Sequence, residues 1–175
     1  MERRTFLQAS ALSAGALAAG APSVSAASPL RVHVLAYEGV EELDFIAPLD
    51  VLAKAAFRGG GAIRATLVAK DKPGFITTST GVRIDVPVGW SPQDADILVV
   101  PGGGPHDLPG SGLYRLIEDK AFIRRLARFD GVKVGVCTGV MALSAAGFTK
   151  GRPATTHAIA KASPLVTSVH ATRLG

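Results

Sequence analysis

The stretch VKVGVCTGVMALSAAG, residues 132–147, sets the only cysteine of the chain between a strand-like and a helix-like segment. VKVGV is a short valine-rich run that predicts a buried strand, and the residues after the cysteine predict a helix that ends at Gly147. Cys137 lies at the junction, with Gly135 and Gly139 two positions to either side. This G-x-C-x-G order is typical of a nucleophile elbow, where small neighbours permit a sharp turn that presents the central side chain.

Two interpretations of Cys137 follow from the sequence. At the start of a helix, a thiolate would face unpaired backbone N–H groups and the positive end of the helix dipole, so we expect a lowered thiol pKa and a catalytic nucleophile. The alternative is a small apolar residue that fills the core, which is the commonest role of a lone cysteine. The strand, elbow and helix together favour the nucleophile.

The rest of the chain alternates between strand-like and helix-like segments. This alternation predicts an α/β fold with a mostly parallel sheet flanked by helices, and a site at the carboxyl ends of the strands. A β-hairpin with its turn at Thr80 and Gly81 interrupts the alternation. The predicted strands are LRVHVLAY, AIRATLVAK, DADILVV and VKVGV, the hairpin is FITTSTGVRIDV, and the helices are APLDVLAKAA and the segments 113–129 and 138–147.

The first 27 residues predict an export signal. Arg3 and Arg4 precede a mildly apolar alanine-rich run, and small residues suited to cleavage precede Ser28. The arginine pair resembles a twin-arginine signal, which exports folded proteins, so we expect a periplasmic protein whose domain covers residues 28–175. The apolar run is too short to span a membrane, so no membrane association is expected of the mature form.

Amino-acid composition and net charge limit the classes of function that this protein could have. Hydrophobic residues make up 47% and charged residues 19% of the 175 residues, which predicts one globular domain. The net charge of +5 could suggest a nucleic-acid partner. However, the one basic cluster, Arg124, Arg125 and Arg128, falls on a helix whose other face is apolar, so a solvated helix face is the expected role.

Two loops could complete a site around Cys137. The segment VVPGGGPHD leaves its strand at the same sheet edge, and Gly103 and Gly104 are candidates for backbone N–H donors of an oxyanion hole. Glu42 and Asp44, with Glu41 before them, open the first helix, where acidic residues are favoured by the dipole alone. One of these carboxylates could still face the thiol and transfer protons.

The combination of GVEELDFIAPLDVL, DILVVPGGGP, GVCTG and GRPATTHAIA resembles the ThiJ/PfpI superfamily, whose fold is flavodoxin-like and similar to class I glutamine amidotransferases. In that superfamily an acidic residue on the first helix faces the elbow cysteine, and Asp44 holds this position, which leaves Glu41 and Glu42 facing solvent. The peptidase-like branch has histidine after the cysteine. This chain has Thr138, which argues against a protease.

The segments LDF and Cys-Thr-Gly look most like the isonitrile hydratase branch. The resemblance implies a cysteine-dependent conversion of isonitriles to N-substituted formamides, with Cys137 as nucleophile, Asp44 as proton relay and Thr138 orienting substrate or water. His157 matches a position near the pocket or a subunit contact, and a structural histidine with its hydrogen bonds satisfied is an equally strong alternative. The resemblance implies a small-molecule substrate, no cofactor and assembly as a homodimer. No metal site is expected, because His33, His106 and His170 lack partners at ligand spacing.

Two other functional interpretations are compatible with the sequence. The chain also resembles the ligand domains of AraC-type regulators, which implies small-molecule binding without turnover. After VHATRLG the superfamily normally continues through another strand and a last helix, so we expect this domain to lack both. An inactive truncated remnant is therefore a further alternative.

Overall fold

The protein is described by a computed structural model that covers residues 28–104, 112–158 and 160. Its main sheet has four parallel strands in the order β2-β1-β5-β6. A separate antiparallel hairpin is formed by β3 and β4. The strands are β1 (Leu30–Ala36), β2 (Ile63–Ala69), β3 (Gly74–Thr77), β4 (Arg83–Val86), β5 (Ile97–Val100) and β6 (Val132–Gly135). The predicted parallel sheet and hairpin are both confirmed.

Four helices pack with the sheet: α1 (Glu42–Arg58), α2 (Gly112–Glu118), α3 (Lys120–Ala127) and α4 (Val140–Ala145). Short 3₁₀ turns cover Pro92–Asp94 and Cys137–Gly139. The prediction of a mostly parallel sheet flanked by helices is therefore confirmed. No helix among the described residues has the length and apolar character needed to cross a membrane.

The single helix predicted over residues 113–129 is wrong, because the structure has two helices that meet at Asp119. The Asp119 carboxylate accepts hydrogen bonds from the backbone N–H groups of Ala121 and Phe122, at 3.0 and 2.9 Å. Aspartate at this position caps the start of a helix by satisfying N–H groups that have no partner within it. The cap ends α2 and starts α3, a detail that apolar periodicity does not reveal.

Strand β1 lies inside the sheet, which accounts for the near-continuous apolar sequence of this strand. It pairs with β2 on one side and β5 on the other, and its residues from Val32 onward are buried. Because the chain leaves β1 toward β2 and later returns to the other side of β1, the strand order reverses between β1 and β5. Crevices at such reversals, outside the carboxyl ends of the strands, are where open α/β sheets bind ligands.

Three predictions lie outside the described residues. These are the export signal in residues 1–27, the absence of the strand and helix that would follow residue 175, and the statements on His106 and His170.

Candidate active site

Cys137 adopts the turn that the sequence predicts for an elbow. Its φ is 54°, and it is the only non-glycine residue among those described with a positive φ. This left-handed backbone is unfavourable for a residue with a side chain and is found mainly where the surrounding structure enforces it. A β-carbon at Gly139 would collide with the carbonyl oxygen of Val100, so glycine is required for the elbow to approach β5.

The carboxyl ends of β1, β5 and β6 bring the predicted site residues into one place. A cavity of about 390 Å³ opens there beside the elbow. It is lined by residues from separate segments of the chain: Glu41, Ser79, Gly103, Gly104, Cys137, Thr138 and His157. Cys137, Thr138, Gly103, Gly104 and His157 were predicted from the sequence as site residues, whereas a pocket role for Glu41 and Ser79 was not.

Asp44 lies in the first turn of α1, close enough to the Cys137 thiol for each group to affect the pKa of the other. Its Oδ2 also accepts a hydrogen bond of 3.0 Å from the backbone N–H of Gly102. A β-carbon at Gly102 would lie 2.8 Å from the same oxygen, so the loop can approach the carboxylate this closely only with glycine. Gly102 therefore fixes the position of Asp44, a role that the sequence did not reveal.

The electrostatics of the Cys137 and Asp44 pair differ from the expectation of a lowered thiol pKa. Burial raises the pKa of Cys137, the negative charge of Asp44 raises it further, and the N–H of Thr138 only partly offsets both. Burial also raises the pKa of Asp44. The predicted lowering of the Cys137 pKa is wrong, because burial of the sulfur and the charge of the nearby carboxylate together outweigh the effect of the backbone N–H groups. The raised pKa of Cys137 favours the neutral thiol over the thiolate.

Thr138 is buried, with 3% of its surface exposed, and its backbone and side chain both act to lower the pKa of Cys137. Thr138 also lines the cavity beside Cys137. Tyr37, also buried, donates a hydrogen bond of 2.9 Å to the carbonyl of Pro101 and so joins the end of β1 to the glycine loop.

The segment after α4 returns to the elbow. Thr156 Oγ1 donates a hydrogen bond of 2.9 Å to the carbonyl oxygen of Cys137. This contact brings the adjacent His157, which is exposed, to the cavity. The positive charge of His157 in its protonated form would also favour the ionised form of Asp44.

The expectation that Glu41 and Glu42 face solvent is wrong. Both are half-buried and accept hydrogen bonds from hydroxyl groups in the loop between β3 and β4. Burial raises the pKa of Glu42, but hydrogen bonds from Thr78 and Thr80 outweigh it and lower the pKa to about 2. The donors lie more than 35 residues away along the chain, so no local sequence pattern indicated them.

Gly103 and Gly104 lie on the cavity wall next to Cys137, as the oxyanion-hole prediction requires. Gly104 has a φ of 69°, a conformation that glycine adopts without strain. Within the described part of the chain, neither N–H group is used in a backbone hydrogen bond. Their role as oxyanion donors stays a prediction. In the same residues, no group of three or more His, Cys, Asp or Glu side chains could hold a metal ion.

The structure places a strained cysteine elbow at the carboxyl edge of a parallel sheet, near a carboxylate on the first helix. These features define a class of α/β domain whose site is built around a single thiol. The sequence profile of the DJ-1/PfpI family matches residues 30–171. The chain belongs to the DJ-1/PfpI family.

Individual relatives extend the comparison. The chain is 36% identical over 132 residues to an uncharacterized protein in the cpoL 5' region of Streptomyces lividans, covering 75% of this chain and 89% of that protein. It is 34% identical over 138 residues to isonitrile hydratase of Pseudomonas putida, covering 73% of this chain. The chain spans only about half the length of the hydratase, 52%.

Among solved structures, the fold is similar to that of an AraC family transcriptional regulator from Pseudomonas putida, with a TM-score of 0.62 and 23% identity. The match covers 81% of this chain and 73% of the regulator. At this identity the similarity concerns the fold alone.

Proposed function

We propose that the protein is a cysteine-dependent hydratase that converts isonitriles to N-substituted formamides. The observation that carries the proposal is the strained elbow that places Cys137 on the wall of a cavity, with the Asp44 carboxylate close enough for its charge to raise the pKa of the thiol. The similarity to isonitrile hydratase supports the same reaction class.

The first step uses the neutral thiol and the carboxylate together. Asp44 takes the proton from Cys137 as the sulfur attacks the terminal carbon of the isonitrile, and the same proton then moves to that carbon. The product is a thioimidate, in which the sulfur is bonded to a CH=N–R group. A thiol with a raised pKa suits this step, because the proton is transferred only while the S–C bond forms.

In the second step water attacks the thioimidate carbon and Asp44 accepts a proton from the water. The C–S bond then breaks, and the proton on Asp44 passes to the departing sulfur, which regenerates the Cys137 thiol and the Asp44 carboxylate. The released R–N=CH–OH rearranges to the formamide R–NH–CHO. Gly103 and Gly104 line the cavity, and their backbone N–H groups are the candidate donors that would stabilise the charge that develops in the transition state.

The test is formamide production from n-propyl isonitrile by the full chain. We expect turnover by the native protein and none by Cys137→Ala or Cys137→Ser, because a serine hydroxyl is a weaker nucleophile than a thiol and its proton is much harder for Asp44 to remove. Thr138→Val should raise the activation free energy by about 1 kcal/mol through loss of one hydrogen bond. Equal turnover by native protein and Cys137→Ala would contradict the proposal.

A second candidate function is small-molecule binding without turnover. The raised pKa of Cys137, which burial causes, leaves little thiolate at neutral pH, and a binding domain needs none. The fold similarity to an AraC family transcriptional regulator is compatible with this alternative. Saturable binding of an isonitrile by both native protein and Cys137→Ala, with no formamide formed, would favour the binding domain over the enzyme.

We also propose that residues 1–27 direct export to the periplasm. Arg3 and Arg4, followed by an apolar alanine-rich run, support a twin-arginine signal. Fusing these residues to a reporter that is active only after export should give activity, and changing both arginines to lysine should remove it. Undiminished export of the double-lysine variant would exclude the twin-arginine route.

A further inference from the structure

We propose that Glu41, held in place by Ser79, makes this site selective for substrates that carry a positively charged hydrogen-bond donor near the reacting carbon. The inference rests on the proposed function and specifies its substrate class: isonitriles whose side group bears a protonated amine. It is based on the position of Glu41 in the lining of the same cavity as Cys137.

Polar side chains form part of the cavity lining. Ligand pockets are generally lined by hydrophobic and aromatic side chains with a few polar groups that fix orientation. In this protein the polar groups among the described lining residues include Glu41, Ser79 and His157, in the same cavity as the elbow residues Cys137 and Thr138. A substrate with a polar, charged substituent would therefore find partners in addition to apolar contacts.

Glu41 is held by two separate segments of the chain. Its backbone N–H donates a hydrogen bond of 2.9 Å to the carbonyl of Gly102, in the loop that also positions Asp44. Its side-chain Oε2 accepts a hydrogen bond of 2.6 Å from Ser79 Oγ. Ser79 is itself fixed by its backbone N–H, which donates a hydrogen bond of 2.9 Å to the carbonyl of Val40. The carboxylate is therefore preorganised, which lowers the entropic cost of binding a partner.

Contacts with the described residues around Glu41 do not occupy its whole carboxylate. Glu41 is the residue before the first turn of α1, yet its side chain makes no capping hydrogen bond. The lysine and arginine ion pairs of the described residues are formed by other carboxylates, those of Asp50, Asp71, Asp96 and Asp119. One oxygen of Glu41 is thus available to a ligand in the cavity.

A cationic substrate would also act on the catalytic pair. Burial is the main cause of the raised pKa of Asp44, and the negative charge of Glu41 adds to it. An ammonium group bound to Glu41 would offset that charge, lower the pKa of Asp44 and favour its ionised, proton-accepting form. Recognition of the substrate charge would in this way promote the proton transfer on which the reaction depends.

The first test measures the charge preference of Cys137 without relying on hydration. Because Cys137 is the only cysteine, alkylation reports on this site alone. The rate with 2-bromoethylamine, which is cationic, is divided by the rate with neutral iodoacetamide at the same pH, so that changes in thiolate fraction cancel. We expect Glu41→Gln to lower this ratio about tenfold, the size of one charge-assisted hydrogen bond.

Matched variants make the result specific. Glu118→Gln removes the same charge from an exposed position at the end of α2 and should leave the ratio unchanged. Ser79→Ala keeps the Glu41 charge but removes its hydrogen bond, and should lower the ratio by a smaller factor, about threefold. A ratio that is equal in native protein and Glu41→Gln, or that falls equally in Glu118→Gln, would overturn the proposal.

The second test uses two isonitriles of matching shape, 3-(dimethylamino)propyl isonitrile and its neutral carbon analogue 4-methylpentyl isonitrile. We expect kcat/KM to favour the cationic substrate, and the preference to fall about tenfold in Glu41→Gln. Turnover of both substrates with no effect of Glu41→Gln on their ratio would refute the selectivity and leave the hydratase function intact. No turnover of either, combined with a lowered alkylation ratio, would refute the hydratase function and support cation recognition by Glu41.

Discussion

Glu42 and Asp44 lie two residues apart in the first turn of the same helix, yet their surroundings drive their pKa values in opposite directions. Burial raises the pKa of Asp44, which lies beside a thiol, and a single backbone N–H and the thiol itself do not offset this. At Glu42 the effect of burial is outweighed by hydroxyl donors from the β3–β4 loop, and the pKa falls to about 2. Helix position alone therefore does not decide what a carboxylate does.

The opposite pKa shifts indicate different roles for the two carboxylates: Glu42 stabilises the structure, whereas Asp44 takes part in the proposed reaction. Glu42 is ionised at all ordinary pH values and ties the hairpin loop to the start of α1 through Thr78, Ser79 and Thr80. The raised pKa of Asp44 makes its carboxylate a stronger base than that of an exposed aspartate, which suits a group that accepts a proton during a reaction. The same turn thus supplies an anchor for one wall of the cavity and a base for its nucleophile.

The largest expected effect concerns turnover of n-propyl isonitrile. Asp44→Asn should lower kcat/KM by about 10³, within the range for loss of a positioned general base. Glu42→Gln keeps the volume of its side chain and leaves the thiol partner in place, so it should change kcat/KM by less than about threefold. Initial rates of formamide formation measure both. Equal losses in the two variants would show that both carboxylates act only through the structure.

The second prediction concerns thiol ionisation, measured by the pH dependence of iodoacetamide alkylation. Because burial and the charge of Asp44 raise the pKa of Cys137, the native thiol should react more slowly at neutral pH than a small-molecule thiol. Asp44→Asn removes the charge and should lower the thiol pKa and speed alkylation, although it abolishes turnover. Glu42→Gln should leave the titration of Cys137 unchanged.

An outcome in which Asp44→Asn slows alkylation would mean that Asp44 activates the thiol at rest. The Cys137 and Asp44 pair would then resemble a preformed thiolate site, and the proton transfer proposed for the attack step would be unnecessary.

The third prediction concerns stability. Ionisation of Glu42 and ionisation of Asp44 should change the free energy of unfolding in opposite directions. The folded-state pKa of Glu42, about 2, lies below the ordinary value of 4.5. Its stabilising contribution is therefore complete above pH 4.5 and lost as the pH falls toward 2. Glu42→Gln should destabilise the protein by about 1 kcal/mol at pH 7, a modest value because solvent screens the group. The penalty should disappear at low pH, as followed by urea unfolding.

Asp44 has a raised folded-state pKa, so its ionisation opposes folding above that pKa, and the opposition is relieved as the pH falls through it. Asp44→Asn should therefore be neutral or slightly stabilising at pH 7, since an asparagine oxygen can still accept from Gly102 N–H. Sites built for chemistry commonly reduce stability in this way. A large destabilisation by Asp44→Asn would mean that Asp44, like Glu42, serves mainly to hold the fold together.

The sequence predicted the parallel sheet, the hairpin and the elbow, because each depends on local composition and on glycines at fixed offsets from Cys137. It predicted the pairing of Asp44 with the thiol only through family resemblance. The hydrogen bonds of Glu41 and Glu42 were missed because their partners, Thr78 to Thr80, are distant in the chain. The direction of the Cys137 pKa was wrong for a related reason: helix-start N–H groups are visible in a sequence, whereas burial and a facing charge are not.

The smallest expected effect concerns the pH profile of turnover and adds Glu41 to the comparison. The rate should rise with pH as Asp44 ionises, with a midpoint above the ordinary range of an aspartate because burial raises its pKa. The charge of Glu41 contributes to the raised pKa of Asp44, so Glu41→Gln should move the midpoint to lower pH. This shift should be smaller than the shift in the pKa of Cys137 that Asp44→Asn causes. Glu42→Gln should not move the midpoint, because Glu42 is not among the main causes of the raised pKa of Asp44.

Initial rates with the neutral substrate n-propyl isonitrile, measured across the acidic and neutral pH range, check this prediction without interference from charge recognition. A midpoint that moves with Glu42→Gln and not with Glu41→Gln would reverse the assignment of the two glutamates, with Glu42 acting on the catalytic pair and Glu41 serving only as an anchor for Ser79.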